Sequence, residues 1–438
     1  MVTSILFWGA AIIVLVRILF VAFGQKEINL HILATNDTLI GRFPLVSEKP
    51  IQDIVKKSSN LHINLKIILF GVGVRLVTLI LAFIFLAIDG RGISIIGVFN
   101  NFNRWDAPHF QVIADVGYAG YSLFLVFFPL YPWLIRFVNL LVGNFMISAY
   151  IVSFVCYLAG LCYIYHLVKL DFKASTAKWA VILISIFPFS FFLGAPHTES
   201  LFILITAMTL YYIRTHRWLL AGLIGALAAS TRMVGIILVA AAAVEFVMHY
   251  NLFTMMKKGE WDKFFKLVDT KGLLILLMFV GTLMYFTINW AISGDPFMFM
   301  YFQRTNWHNG FLYFGETMRM QFSSLHLFRD EYVVHPSTLY LHGPNILAFA
   351  FCLWMIIYAT IKRYNAAYIV YAMGYTFVSF SMLWLLSGGR YAAALVPSFI
   401  FLADYVNKNP LRRVLVTAIF IVLLLPILRS YVFGNWVM

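Results

Sequence analysis

Apolar runs recur along the whole 438-residue chain. They are roughly 15–23 residues long, many hold no charge, and about 20 such residues suffice for a helix to cross a hydrocarbon core of about 30 Å. Barrel strands would show short alternating segments instead. Only 11% of the residues are charged, against about 25% in soluble globular proteins. The expected fold class is therefore all-α, a polytopic membrane bundle of about 12 transmembrane helices. Aromatic residues make up 18%, which suits interfacial belts and a groove shaped for lipid or sugar.

The formal charge of +14 is read as topology and not as a nucleic-acid signal. Cys156, Cys162 and Cys352 fall inside apolar runs without metal-ligand spacing, so they read as core- or lipid-facing. The first run, Ser4 to Phe23, lacks a basic leader and a small-residue cleavage site, and reads as a retained helix. Twelve spans are expected, at about 4–23, 67–88, 146–168, 179–195, 199–213, 218–231, 233–249, 273–293, 345–361, 366–386, 391–405 and 414–433.

With the amino terminus outside, six loops become cytoplasmic: 24–66, 169–178, 214–217, 250–272, 362–365 and 406–413. They hold all fifteen lysines, Lys56, Lys57, Lys257 and Lys258 among them, and the opposite face holds none. That is positive-inside orientation. It requires residues 123–142, which contain Pro129, Pro132 and Arg136, to form a re-entrant or surface helical pair rather than a span. The 24–66 loop reads as amphipathic and surface-lying. Its Asn36-Asp37-Thr38 glycosylation pattern falls on the wrong side to be used.

The lysine-free face carries five clusters. Arg104-Trp105-Asp106-Ala107-Pro108-His109 offers a carboxylate as general base for a hydroxyl, with His109 one helical turn on, placed to orient it or share its proton. A surface ion pair explains it equally simply. In Pro196-His197-Thr198-Glu199-Ser200 the acid opens a helix, where capping and the helix dipole favour it, or it lines the site. Arg232, in Ser230-Thr231-Arg232, and Arg390, in Ser387-Gly388-Gly389-Arg390-Tyr391, are arginines at a non-cytoplasmic boundary. Snorkelling accounts for them, as does an anionic partner such as a lipid phosphate. Gly294-Asp295-Pro296 reads first as a turn, leading to Gln303, Arg304 and Trp307. His308, His326, His335 and His342 follow no zinc spacing and read as loop residues. No metal or cofactor site is expected.

These motifs resemble a known family. Trp105-Asp106-Ala107-Pro108-His109-Phe110, Ile113-Ala114, Gly117-Tyr118 and Phe127-Phe128-Pro129-Leu130-Tyr131-Pro132 look like the signature of the PIG-V family, GPI mannosyltransferase II and its prokaryotic relatives, within the GT-C superfamily. Thr198 to Phe202 and Thr231-Arg232-Met233-Val234-Gly235 match two further motifs. The Gly-Asp-Pro stretch with Gln303 and the late Arg390-Tyr391 also fit. The resemblance spans roughly 67–435. Two departures touch the acceptor: His197 precedes Thr-Glu-Ser, and Met233 and Val234 replace a polar residue.

The resemblance implies a 1–66 anchor and loop followed by a 67–438 GT-C mannosyltransferase domain. It implies transfer of mannose from dolichyl- or polyprenyl-phosphate mannose to a glycolipid or glycan acceptor, with inversion to an α-mannoside. Asp106 would be the base, and Arg232 and Arg390 would hold the phosphate. Arg104, Trp105, His109, His197, Glu199, Gln303 and Tyr391 would line the substrates. The setting would be a prokaryotic plasma membrane, or an endoplasmic reticulum membrane in a eukaryote, with the site on the non-cytoplasmic face. The rival reading is a transporter or flippase of a lipid-linked sugar, for which repeated halves and mid-bilayer charges would be expected.

Overall fold

Helices form where the apolar runs lie. The computed structural model describes residues 2–22, 61–90, 94–325 and 338–435. The Asn36 motif, most of the 24–66 loop, His326 and His335 lie outside the described residues. The chain is an all-α polytopic membrane bundle. Among the described residues, the β-structure consists of one isolated bridge, Phe311 to Met382.

The first half runs α1 Val2–Ala22, α2 Leu61–Ile88, α3 Ile95–Phe102, α4 Asp106–Val116, α5 Leu130–Val142, α6 Phe145–Asp171, α7 Ala174–Ile186, α8 Glu199–Arg214 and α9 Trp218–Ala229. The second half runs α10 Leu238–Tyr250, α11 Leu252–Lys257, α12 Trp261–Leu267, α13 Phe279–Ser293, α14 Met298–Thr305, α15 Phe314–Ser323, α16 Gly343–Ile361, α17 Ala366–Phe380, α18 Gly388–Ala394, α19 Val396–Asn407 and α20 Pro410–Val432.

Each of the twelve expected spans holds a helix. Seven helical stretches among the described residues are long and apolar enough to cross a membrane: Val2–Ala22, His62–Ile88, Phe145–Asp171, Met233–Tyr250, Trp261–Ser293, Tyr340–Ile361 and Pro410–Val432. The other five expected spans coincide with shorter helices, several interrupted. The run at 179–195, for example, stops being α-helical after Ile186 and continues as a 3-10 turn, Ser190–Leu193. Lipid tails give no hydrophobic drive for helix association, so close packing must supply it. Gly281 shows how: a Cβ there would lie 1.9 Å from the Ala226 carbonyl oxygen, so α13 lies directly on α9.

Residues 123–142 split into a 3-10 turn, Ser122–Val126, and the 13-residue α5. At about 1.5 Å per residue α5 rises about 20 Å, short of a bilayer core. Its start is pinned from both sides. Leu130 N–H donates to the Ser230 carbonyl (3.1 Å), and the Tyr131 hydroxyl lies 2.7 Å from Ser153 Oγ, which itself donates to the His197 carbonyl (3.2 Å).

The described lysine-bearing loops share one end of the bundle. Contacts such as His166 to Asn64 (2.7 Å), Asn407 to Thr176 (2.9 Å) and Arg17 to the Tyr364 carbonyl (2.6 Å) tie that end together. The first helix is integral to it, since α1 packs on α10, α16 and α17. The turns at 103–106, 194–198, 230–232 and 387–390 meet at the other end.

Candidate functional site

Four segments far apart in sequence bring two acids and two arginines into one ion network. Asp106 opens α4, Glu199 opens α8, Arg232 ends the turn after α9, and Arg390 lies in α18. Glu199 Oε1 accepts from Arg232 Nη1 (3.1 Å) and from Arg390 Nε (2.9 Å), and Arg390 Nη2 lies 2.9 Å from the same oxygen as an ion pair. Arg390 Nη1 reaches Asp106 Oδ2 (3.2 Å). The network is graded toward solvent: side-chain exposure is 0% for Glu199, 5% for Arg390, 16% for Arg232 and 34% for Asp106. Incoming groups therefore meet Asp106 and Arg232 first.

Local chemistry places each member. Trp105 takes φ 59°, a left-handed conformation that costs a bulky residue on the order of 1–3 kcal/mol. It turns the chain so that α4 begins at Asp106. Gly389 lets α18 press onto the 187–193 turn, because a Cβ there would sit 2.3 Å from the Phe189 ring. Arg390 then stacks over Phe192 (4.8 Å). Arg232 lies between the rings of Phe202 (5.7 Å) and Tyr391 (5.5 Å). Burial is the largest single influence on both guanidinium groups and opposes their charge, but Glu199 with Tyr375 and Tyr391 at Arg232, and Glu199 with Asp106 and Tyr391 at Arg390, together outweigh it. Both stay above the ordinary arginine value.

His197 is wholly enclosed. Its Nε2 lies 3.5 Å from the Tyr431 hydroxyl, and its Nδ1 has no hydrogen-bond partner. Burial, reinforced by Arg390, lowers its pKa to about 4, so the ring is neutral near pH 7. Glu199 Oε2 is also buried without a donor. Thr198 makes no side-chain cap on α8, and Glu199, in the first turn of that helix, is paired with both arginines.

The remaining expected residues divide. Tyr391 lies under Arg232, and its hydroxyl points to Met382 Sδ (3.7 Å). Arg104 binds Asn101 and the Val432 carbonyl (3.3 Å), tying the site loop to the end of α20. His109 does not hydrogen-bond Asp106. It turns to Phe124 (4.9 Å) and Phe127 (5.5 Å), and that burial lowers its pKa, with Asp106 partly opposing the shift. Gln303 has no hydrogen bond or ion pair into the network. Its segment approaches through Trp307, edge-on to Phe127 at 5.7 Å. Asp295 makes the expected turn, its carboxylate accepting from Phe297 N–H (2.8 Å).

Sequence reading missed Tyr431 and Phe192. Tyr431 closes the site from the last helix, donating to the Phe102 carbonyl (2.9 Å). Nothing in an apolar helix marks one tyrosine as a wall of a distant site. Among the described residues, no group of three or more His, Cys, Asp or Glu stands in metal-holding geometry.

Residues 128–286 match the family model described as dolichyl-phosphate-mannose-protein mannosyltransferase. The matched stretch includes Pro129, Tyr131, His197, Glu199 and Arg232, and excludes Asp106 and Arg390. No curated protein and no solved structure matches the chain. The match supports the GT-C superfamily without singling out the PIG-V family. Over the helices that carry Glu199 and Arg232, a stretch of about a third of the chain, the protein is thus similar to dolichyl-phosphate-mannose-protein mannosyltransferases.

Proposed function

We propose that the protein transfers mannose from dolichyl- or polyprenyl-phosphate mannose to an acceptor hydroxyl, inverting the anomeric carbon to give an α-mannoside. The observation that carries this reading is the single network joining Asp106, Arg390, Glu199 and Arg232, with its acid and one arginine toward solvent.

In this reading Asp106 takes the proton of the acceptor hydroxyl. The acceptor oxygen bonds to the anomeric carbon as the carbon–oxygen bond to the phosphate breaks on the opposite face. The leaving polyprenyl phosphate carries the negative charge away. Arg232 meets that charge as it develops, where a fixed guanidinium in a partly buried site acts most strongly. Arg390 already directs Nε and Nη2 at Glu199 and Nη1 at Asp106. Its contact with phosphate is through Nη1, and otherwise it orients the base. Glu199 and His197 are enclosed and act by holding the arginines and the site wall. The lysine asymmetry supports a site on the non-cytoplasmic face, fed by donor already turned to that leaflet. The PIG-V resemblance, and with it chemistry of the GPI-assembly type, rests on the motifs at 105–110, 198–202 and 231–235.

The test is incubation of purified protein with radiolabelled polyprenyl-phosphate mannose and host lipid extract. Label should move to an acceptor with wild type and not with Asp106→Asn. Absence of any mannose release or transfer by wild type overturns the reading.

A further inference from the structure

A cavity of about 260 Å³ opens between α2 and α6 beneath α3. Its lining is apolar, including Leu79, Phe99, Phe102 and Phe154, and its rim residues Leu76 and Ile151 are exposed on the outer faces of long apolar helices. In a bilayer that rim faces lipid tails. One charged side chain lines it. Arg75, in the middle of α2, is 5% exposed and donates from Nη1 to the Ser190 carbonyl (2.5 Å) and from Nη2 to the Ser185 carbonyl (3.0 Å). Its guanidinium covers the Tyr157 ring (4.6 Å), yet its buried Nε–H has no acceptor. An arginine at mid-span is costly and calls for polar partners, and this one is left an acceptor short.

We infer that this cavity seats the hydrocarbon chain of an amphiphilic acceptor lipid whose head group reaches Asp106. The inference rests on the reading of Asp106 as the acceptor's base. Three observations set the occupant. The cavity opens sideways onto the lipid-facing belt, which admits a chain and offers a soluble glycan nothing. It adjoins the base: Phe102 lines it and precedes Asp106 by four residues. Its inner wall, Phe191, packs on Phe192 (4.7 Å) and Tyr431 (4.9 Å), the rings that back Arg390 and His197. Arg232, by contrast, sits over Phe202 and Tyr391, neither of which lines the cavity. Donor phosphate and acceptor chain therefore approach from different sides. A linker oxygen of the lipid, such as an ester carbonyl, supplies the acceptor that Arg75 Nε lacks.

The experiment uses the full chain in phosphatidylcholine nanodiscs doped with a phospholipid carrying a diazirine on one acyl chain. Cross-links are mapped by mass spectrometry. Transfer from polyprenyl-phosphate mannose to host lipid extract and release of mannose to water are measured beside them. Ile151→Trp fills the rim, and Leu415→Trp, on the exposed face of α20, is the control. Labelling at 99–102 and 150–154 should exceed that around Leu415 at least fivefold and disappear in Ile151→Trp. Transfer by Ile151→Trp should fall at least tenfold further than mannose release does, and Leu415→Trp should match wild type. Labelling that is uniform over the lipid-facing surface, or unchanged by Ile151→Trp, overturns the site. Displacement of the label by added polyprenyl phosphate, or an equal fall in release and transfer, assigns the cavity to the donor and overturns the inference. A wild type that labels correctly but neither releases nor transfers mannose overturns the transferase reading and leaves the chain site standing.

Discussion

The two ends of α8 carry the same kind of chemistry and arrange it differently. At the Arg214 end, Arg214 pairs with Asp171 (2.6 Å) and with Glu245. Glu245 also accepts from His216 (3.0 Å) and Asn365 (3.1 Å), and Asp171 accepts from Tyr368 (2.8 Å). Every oxygen of both carboxylates has a donor, although Arg214 Nε is buried without an acceptor, and the cluster clasps α6, α8, α10 and α17 together. At the Glu199 end two acids face two arginines, but Glu199 Oε2 and His197 Nδ1 are unmatched, and Asp106 lies a third exposed. Buried polar networks are stable when complete and costly when incomplete. A network with an unmatched acid oxygen that grades toward solvent is organised for an incoming partner, whereas one whose carboxylates are all met is organised for the fold.

The contrast is broken or sharpened by substitution, the largest effect coming at the open end. Asp106→Asn should lower transfer about 10³-fold, within the usual range for a general base. Its melting temperature should stay close to wild type, as the residue is partly exposed. A rate within tenfold of wild type removes Asp106 as base. At the closed end, Glu245→Gln leaves buried Arg214 short of a counter-charge, and breaking such a pair costs about 3–5 kcal/mol. Thermal unfolding in detergent should show the loss, while the rate per folded molecule is kept. A loss of rate at unchanged stability would erase the distinction between the two ends.

Arg232→Lys keeps charge but gives up the planar fork between Phe202 and Tyr391. The KM for the lipid-phosphate donor should rise about tenfold, which corresponds to about 1.4 kcal/mol. An unchanged KM would place the phosphate elsewhere. The smallest effect concerns His197. Its folded pKa of about 4 lies below the unfolded value of 6.5. Between those values the unfolded chain takes up a proton that the folded chain refuses, so stability falls as pH drops from 6.5 toward 4 and is level above 6.5. The difference between melting temperatures at pH 7 and pH 5 should shrink in His197→Phe. A difference as large as in wild type would assign the acid sensitivity to other groups.

Much of the bundle was legible in the chain because membrane helices announce themselves locally. Each apolar run satisfies its own backbone as a helix, whatever its neighbours do. The breaks were legible where Pro129, Gly294 and Pro296 interrupt a run. The ion network was legible in its members but not in its wiring. Asp106 and His109 are one turn apart and look like a pair, yet Asp106 is claimed by Arg390 from 284 residues away. His109 is drawn instead into the rings of Phe124 and Phe127. Glu199 looks like a helix-start acid, and its helix position is compatible with either role. Only the approach of α18 and the 230–232 turn decides it.

By itself, then, the sequence determined an all-helical membrane chain with its lysines on one set of loops, since hydropathy and charge act on each segment separately. The tertiary structure decided which acid meets which arginine, which end of α8 is closed and which is open, and that a cavity lies behind the aromatic wall. Those outcomes depend on long-range contacts, such as Tyr431 closing over His197 and Gly389 admitting Phe189. Contacts of that kind join residues whose local sequences carry no mark of one another.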